Sequence, residues 1–167
     1  MAPVEFEDYT VKVIGAMTDA LIDGLYEAAG EIEARTIRNS RQGHSYGGIQ
    51  ARALWNYIVD EDNMEAQVGS PNEAAYWEEF GTGEHALHGD GRQGWWVYVE
   101  GQDSGSGGKS YASQEEAEQA AAFLRRVAGL DAHATNGLEP NRPLFRAFYS
   151  AKTVVQAIFE SKLKGME

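Results

Sequence analysis

The stretch Glu73-Ala74-Ala75-Tyr76-Trp77-Glu78-Glu79-Phe80-Gly81-Thr82-Gly83 constrains this chain more than any other, because it joins an apolar, acidic helical segment to a turn built on glycine. Gly81 and Gly83 release the backbone to positive φ, which side chains with a Cβ resist. Ser70 and Pro71 predict where the helix begins, as cap and as first helical residue. Trp77 and Phe80 are the residues expected to plug a core beneath the corner. No nucleophile with an adjacent base lies in the stretch, so it suits a tight corner better than catalysis. The starting expectation is a binding or assembly protein.

A chain of 167 residues is long enough to bury a core without metal or disulfide support, and it fits a single domain. The absence of cysteine removes a disulfide framework and a thiolate zinc site. A net charge of −12 argues against tight nucleic-acid binding, which depends on Lys and Arg releasing counterions from phosphate. An acidic surface can still face DNA that slides through a passage. No apolar run approaches the ~20 residues that span a bilayer. The first residues are acidic where a signal peptide is basic, so the chain reads as soluble and unexported, with no membrane partner.

Along the chain, Val11, Val13 and Ile14 suggest a short opening strand. Met17, Leu21, Leu25, Ala28 and Ile32 then predict a long helix to about Asn39, in which Gly24 or Gly30 permits a close approach. Ser40 to Gly48 reads as a loop. Leu54–Val59 and Met64–Val68 alternate as an antiparallel hairpin. Trp95–Val99 is an aromatic strand whose two tryptophans point to opposite faces, one to the core and the other to the core or a subunit interface. Gly101 to Ser110 has linker composition. Ser113 and Glu116 form a capping box for an alanine-rich helix that ends at Gly129. Asp131–Glu139 reads as loop, and Pro143 opens a final helix with Lys162 and Lys164 near its end. The fold class that follows is α+β: a small, twisted, mainly antiparallel sheet of three to four strands with the N-terminal and C-terminal helices packed on one face.

Three chemistries come close. Gly108-Lys109-Ser110 has the end of a phosphate-binding loop, but the first glycine is replaced by Asp103 and the helix starts too late. His85, His88 and Asp90, with Glu84 beside them, are weak metal-ligand candidates. A hydrolase built on them would need Glu79 or Asp90 as a base beside bound water. Arg35, Arg38 and Arg41 form the one locally basic patch, able to meet a partner's carboxylates or to balance the chain's own charge.

Ala75 to Gly83, the Trp-rich strand, and Asn141-Arg142-Pro143-Leu144-Phe145-Arg146-Ala147-Phe148 before the last helix together resemble the neck or tail-completion (head-tail joining) proteins of long-tailed bacteriophages. In that family an aliphatic-Glu-Phe-Gly-Thr corner precedes a variable loop, and Arg-Pro-Phe/Leu leads into the final helix. Glu79-Phe80-Gly81-Thr82 and Arg142-Pro143-Leu144-Phe145 match this pattern, while the family's aliphatic position holds Glu78 here. Residues 101–136 look like an insertion within the single domain 1–167. The resemblance implies a structural virion protein with no enzymatic activity and no cofactor, assembled in the host bacterial cytoplasm. It would act as a homo-oligomeric ring at the head-tail interface, touching head-closure and tail-terminator or tail-tube proteins around the DNA. It points to Trp77, Glu79, Phe80, Gly81, Thr82, Trp95, Trp96, Arg142, Pro143 and Phe145 as motif and interface residues. The alternatives are an acidic inhibitory protein that masks a basic partner and a metal-dependent hydrolase on the His85/His88 loop.

Overall fold

The computed structural model describes residues 10–46, 48–100 and 108–165. Among these residues, four α-helices and seven short strands make an α+β fold in the order α1 (Thr10–Asn39), β1 (Ser45–Tyr46), β2 (Ile49–Gln50), β3 (Asn56–Asp60), β4 (Glu65–Gly69), α2 (Glu73–Phe80), β5 (Trp95–Val99), β6 (Ser110–Tyr111), α3 (Gln114–Ala128), β7 (Ala132–Thr135) and α4 (Pro143–Lys164). The expected opening strand is instead the first turns of α1. A strand there would have no neighbour for its backbone groups, whereas a helix satisfies its own.

Helices α1 and α4 lie antiparallel. At one end the Asn39 side-chain amide donates to the Pro143 carbonyl at 3.2 Å, and towards the other Lys162 Nζ lies 3.2 Å from a Glu27 carboxylate oxygen. Small residues bring the two helices together: Ala147 and Ala151 pack on Ile32, and the Phe159 ring lies over Gly24, where a Cβ would come within 2.6 Å of it. Gly24 is thus the close-approach glycine. A second cluster, Leu54, Trp55, Ala74 and Ala75, joins the hairpin side of the molecule to α2.

The strands divide among three antiparallel sheets rather than one. β1 pairs with β2, β3 pairs with β4 from Asn56↔Gly69 to Asp60↔Glu65, and β5 lies between β6 and β7. The hairpin therefore forms as its alternation predicts, although Leu54 and Trp55 precede β3 and point into the core from a turn. Asn72, not Ser70, caps α2: its side chain accepts from Ala74 N at 2.9 Å, while Ser70 Oγ accepts from Asn72 N at 3.0 Å. Ala132–Thr135, expected as loop, is strand β7. Its small residues carry little intrinsic signal, and pairing with Trp96–Val99 supplies the order.

Residues 101–107 of the expected linker lie outside the described residues. The remainder of the 101–136 segment is knit to β5, since β6 and β7 flank that strand and α3 packs on β5 and β7. The α3 capping box forms. Ser113 Oγ accepts from Glu116 N at 3.3 Å, and the Glu116 carboxylate reaches back to Ala112 N at 3.2 Å. Gly129 ends the helix in the left-handed region, at φ 64°.

Candidate functional site

At the corner after α2, burial runs opposite to the hydrophobic expectation. Glu78 is fully buried and Glu79 nearly so, whereas Trp77 is 37% exposed and Phe80 half-buried. Buried carboxylates are costly unless donors surround them, and here both are surrounded. Glu78 Oε1 accepts from Arg41 N at 2.9 Å and from the Asn141 side-chain amide at 2.6 Å. Its Oε2 accepts from the Tyr46 hydroxyl and faces Arg41 Nε at 3.4 Å. The Glu78 carbonyl accepts from Asn141 N at 3.0 Å and Arg142 N at 3.3 Å. One residue of α2 therefore ties the segment after α1 to the segment before α4. Burial first, and the hydrogen bond to Glu78 second, push the Tyr46 hydroxyl well above the ordinary tyrosine range.

Glu79 completes the start of α4. Pro143 at the first helical position has no N–H, and Arg142, the N-cap, makes no capping hydrogen bond with its side chain. The next two backbone donors are met by the two oxygens of one carboxylate. Leu144 N lies 2.9 Å from Glu79 Oε2 and Phe145 N 3.0 Å from Glu79 Oε1. A negative charge on a helix N-terminus is also favoured by the helix dipole. Arg142 adopts φ 55°, ψ 47°, and its guanidinium carbon sits 3.8 Å from the centroid of the Phe145 ring. The two motifs of the sequence, Glu79-Phe80-Gly81-Thr82 and Arg142-Pro143-Leu144-Phe145, are thus halves of one contact.

The turn beyond is held by backbone approach. Gly81 has φ 74° and ψ 178°, a region open essentially to glycine alone, and a Cβ there would lie 2.6 Å from the Leu138 carbonyl oxygen. Thr82 N donates to Leu138 O at 2.8 Å, and Leu138 N donates to Thr82 Oγ1 at 2.9 Å. A Cβ on Gly83 would collide with the Asn136 carbonyl and the Trp96 ring. Glu84 then bridges the loop: Oε2 accepts from the Asn136 amide at 3.1 Å and Oε1 from Gly94 N at 3.0 Å. Those two bonds hold the Glu84 carboxyl's pKa below the usual carboxylate value, the Asn136 bond most.

The remaining candidates fall around this corner. Trp95 and Trp96 are both half-buried, and Trp96 lies between Gly83 and the Arg92 guanidinium, whose carbon is 5.0 Å from the ring centroid. Pro143 is buried and Phe145 is 48% exposed. His85 Nε2 lies 3.3 Å from Asn136 Oδ1, and the His88 ring sits against Phe80 with centroids 5.0 Å apart. His85, His88 and Asp90 do not converge as a ligand set. Among the described residues, the trio whose ligand atoms all lie within 4.8 Å of one another is Glu100, Asp131 and His133, at the far end of β5 and β7. There His133 Nε2 meets Asp131 Oδ1 at 2.8 Å, and the imidazole stacks on Tyr98.

Ser110 of the near-phosphate-loop belongs to strand β6, Lys109 sits over Tyr111, and the helix begins only at Gln114. Among the described residues, Gly108-Lys109-Ser110 does not lead directly into a helix start. The basic patch is used internally: Arg35 and Arg38 face Glu31, and Arg41 faces Glu78. Sequence reasoning missed Glu78 and the donors that meet it. The available signal was the Glu78 carboxylate at a position that is aliphatic in the resembling family. A buried position holding an acid requires donors, and Arg41, Tyr46 and Asn141 are those donors. Comparison with protein-family models, curated proteins and solved structures finds no match for the chain.

Proposed function

We propose that this chain is a structural subunit of the head-tail connector of a long-tailed bacteriophage, a neck or tail-completion protein that forms a homo-oligomeric ring around the DNA channel. The observation that carries the reading is the carboxylate clasp. The two sequence motifs behind the resemblance, 60 and more residues apart, meet through the Glu79 bonds to Leu144 and Phe145. Glu79 spends both oxygens on backbone donors, which leaves it as a fastener rather than a base. The net charge of −12 suits a lumen through which DNA passes without being gripped. Neighbouring head-closure and tail-terminator or tail-tube proteins would be its partners, and the assembled virion its location.

The test is a mass measurement on the purified chain, alone and with those neighbours, by light scattering and electron microscopy. A closed ring of several copies is the expected result. A particle that stays monomeric at high concentration in both conditions removes the connector reading.

A further inference from the structure

Helix α1 is covered along only part of its length. Its partner α4 runs out at Lys164, shortly beyond the Phe159–Gly24 and Lys162–Glu27 contacts, and every residue from Thr10 to Asp19 is exposed. Those ten residues project as a rod about 15 Å long at 1.5 Å per residue. They are not a polar extension: Val11 is 83% exposed, Val13 51%, Ile14 59% and Met17 44%. A helical arm with an uncovered apolar surface is stabilised by whatever it packs against, since helices this short gain little from propensity alone.

The same molecule carries a receptor of matching character. An apolar cavity of about 910 Å³ lies between α1, β4, α2 and α4, lined by residues including Ala28, Val68, Phe80 and Leu144. Tyr76 and Phe148 also line it and are 46% and 61% exposed. The arm cannot fill this cavity in its own chain. It is continuous with the α1 residues Leu25 to Ile32 that form the cavity wall, and it leads away from them.

We infer that the Thr10–Asp19 arm of one copy seats in the α1/α2/α4 cavity of a second copy. Electrostatics favours this pairing over other self-contacts. On a chain of net charge −12, the arm holds one cation and one anion, Lys12 and Asp19. The charged residues lining the cavity balance as well: Arg142 and Lys152 against Glu73 and Glu79. Neither the arm nor the lining carries the net negative charge that the chain as a whole does. A ten-residue helix in such a groove removes on the order of 1,000 Å² from water over both partners, the size at which a contact becomes specific. Arm and cavity are different surfaces, so the contact is heterologous, and repetition closes into a ring when the rotation permits. The inference rests on the oligomeric part of the proposed function and names its interface.

The experiment uses two variants of the full chain. Val11→Asp/Ile14→Asp alters the arm, and Tyr76→Asp/Phe148→Asp alters the cavity rim, all at exposed positions; circular dichroism verifies that each folds. The wild type is expected to assemble by light scattering, and each variant alone to remain monomeric. An equimolar mixture of the two variants is expected to stop at a one-to-one heterodimer, because it retains a single intact arm and a single intact cavity per pair. Variants that assemble like the wild type overturn the arm contact and leave the ring reading standing. A mixture that stays monomeric overturns the pairing of arm with cavity. A wild type that assembles only when head-closure or tail-terminator proteins are added overturns the arm contact as self-sufficient, again without touching the connector reading.

Discussion

The two ends of α1 are built on opposite terms. At its C-terminal end the Asn39 carbonyl accepts from the Asn141 amide at 2.9 Å and from Arg146 at 2.7 Å. Ser40 Oγ accepts from Trp55 Nε1 at 2.8 Å and donates to the Thr36 carbonyl at 3.0 Å. At the N-terminal end, Thr10 to Asp19 lie wholly at the surface with valine, isoleucine and methionine uncovered. Polar groups deep inside and apolar groups outside reverse the usual distribution. The difference separates two jobs: the C-terminal end is where the chain fixes its own fold, and the N-terminal end is where it has surface left for something else.

The largest expected effect comes from the fixed end. Glu78→Ala leaves the Arg41 side chain, Tyr46 hydroxyl and Asn141 amide without their common acceptor. Stability should fall by about 3–5 kcal/mol in a denaturant titration, the range for breaking a buried ion pair. A loss under 1 kcal/mol would mean that the clasp does not distinguish this end. Gly81→Val forces a β-branched residue into a glycine-only region against the Leu138 carbonyl and should cost about 3 kcal/mol. Glu79→Gln keeps the shape but replaces one acceptor oxygen with an amide. Thermal melts should register about 1–2 kcal/mol, concentrated in fraying of the first turn of α4 by hydrogen exchange.

A pH series sharpens the same contrast. Tyr46 keeps its proton in the fold to a higher pH than in the unfolded chain, so its contribution is constant below about pH 10 and is lost as pH rises beyond that. Tyr46→Phe should flatten the alkaline decline of stability, measured by denaturant midpoints between neutral pH and pH 11. At the other end, Val11→Asp/Ile14→Asp should shift monomer stability by no more than about 0.5 kcal/mol, as surface substitutions do. A large destabilisation there would show that the arm belongs to the fold of its own chain.

Much of this architecture is legible in sequence because local rules decide it. The α3 box at Ser113 and Glu116, the Pro143 start, the Gly81 stop and the β3–β4 alternation are each settled by a few neighbouring residues. What is not legible depends on distant partners. Ala132–Thr135 becomes a strand because β5 lies beside it, and Val11–Ile14 becomes helix because no strand does. The inversion at Trp77, Glu78 and Glu79 escaped for the same reason: hydrophobicity ranks tryptophan inward, while donors at Arg41, Asn141, Leu144 and Phe145 bring the acids in. Gly81, Gly83 and the Arg142-Pro143 pair were visible as marks of a corner and a helix start. That they are one joint was not.

The antiparallel seating of α1 on α4 also sets an order in time. Bonds such as Asn39 Nδ2 to the Pro143 carbonyl close a stretch of 104 residues, so among the described residues the first helix makes contacts of very long range. During synthesis, α1 can meet the β3–β4 hairpin early, through Val68 beside Ile32, but lacks its α4 packing until Pro143–Lys164 has been made, whereas β5, α3 and β7 can associate earlier. Helix α4, made after the elements it packs against, is the one that closes this fold, and a nascent chain halted before it would present α1 as a sticky surface to chaperones and to its own kind.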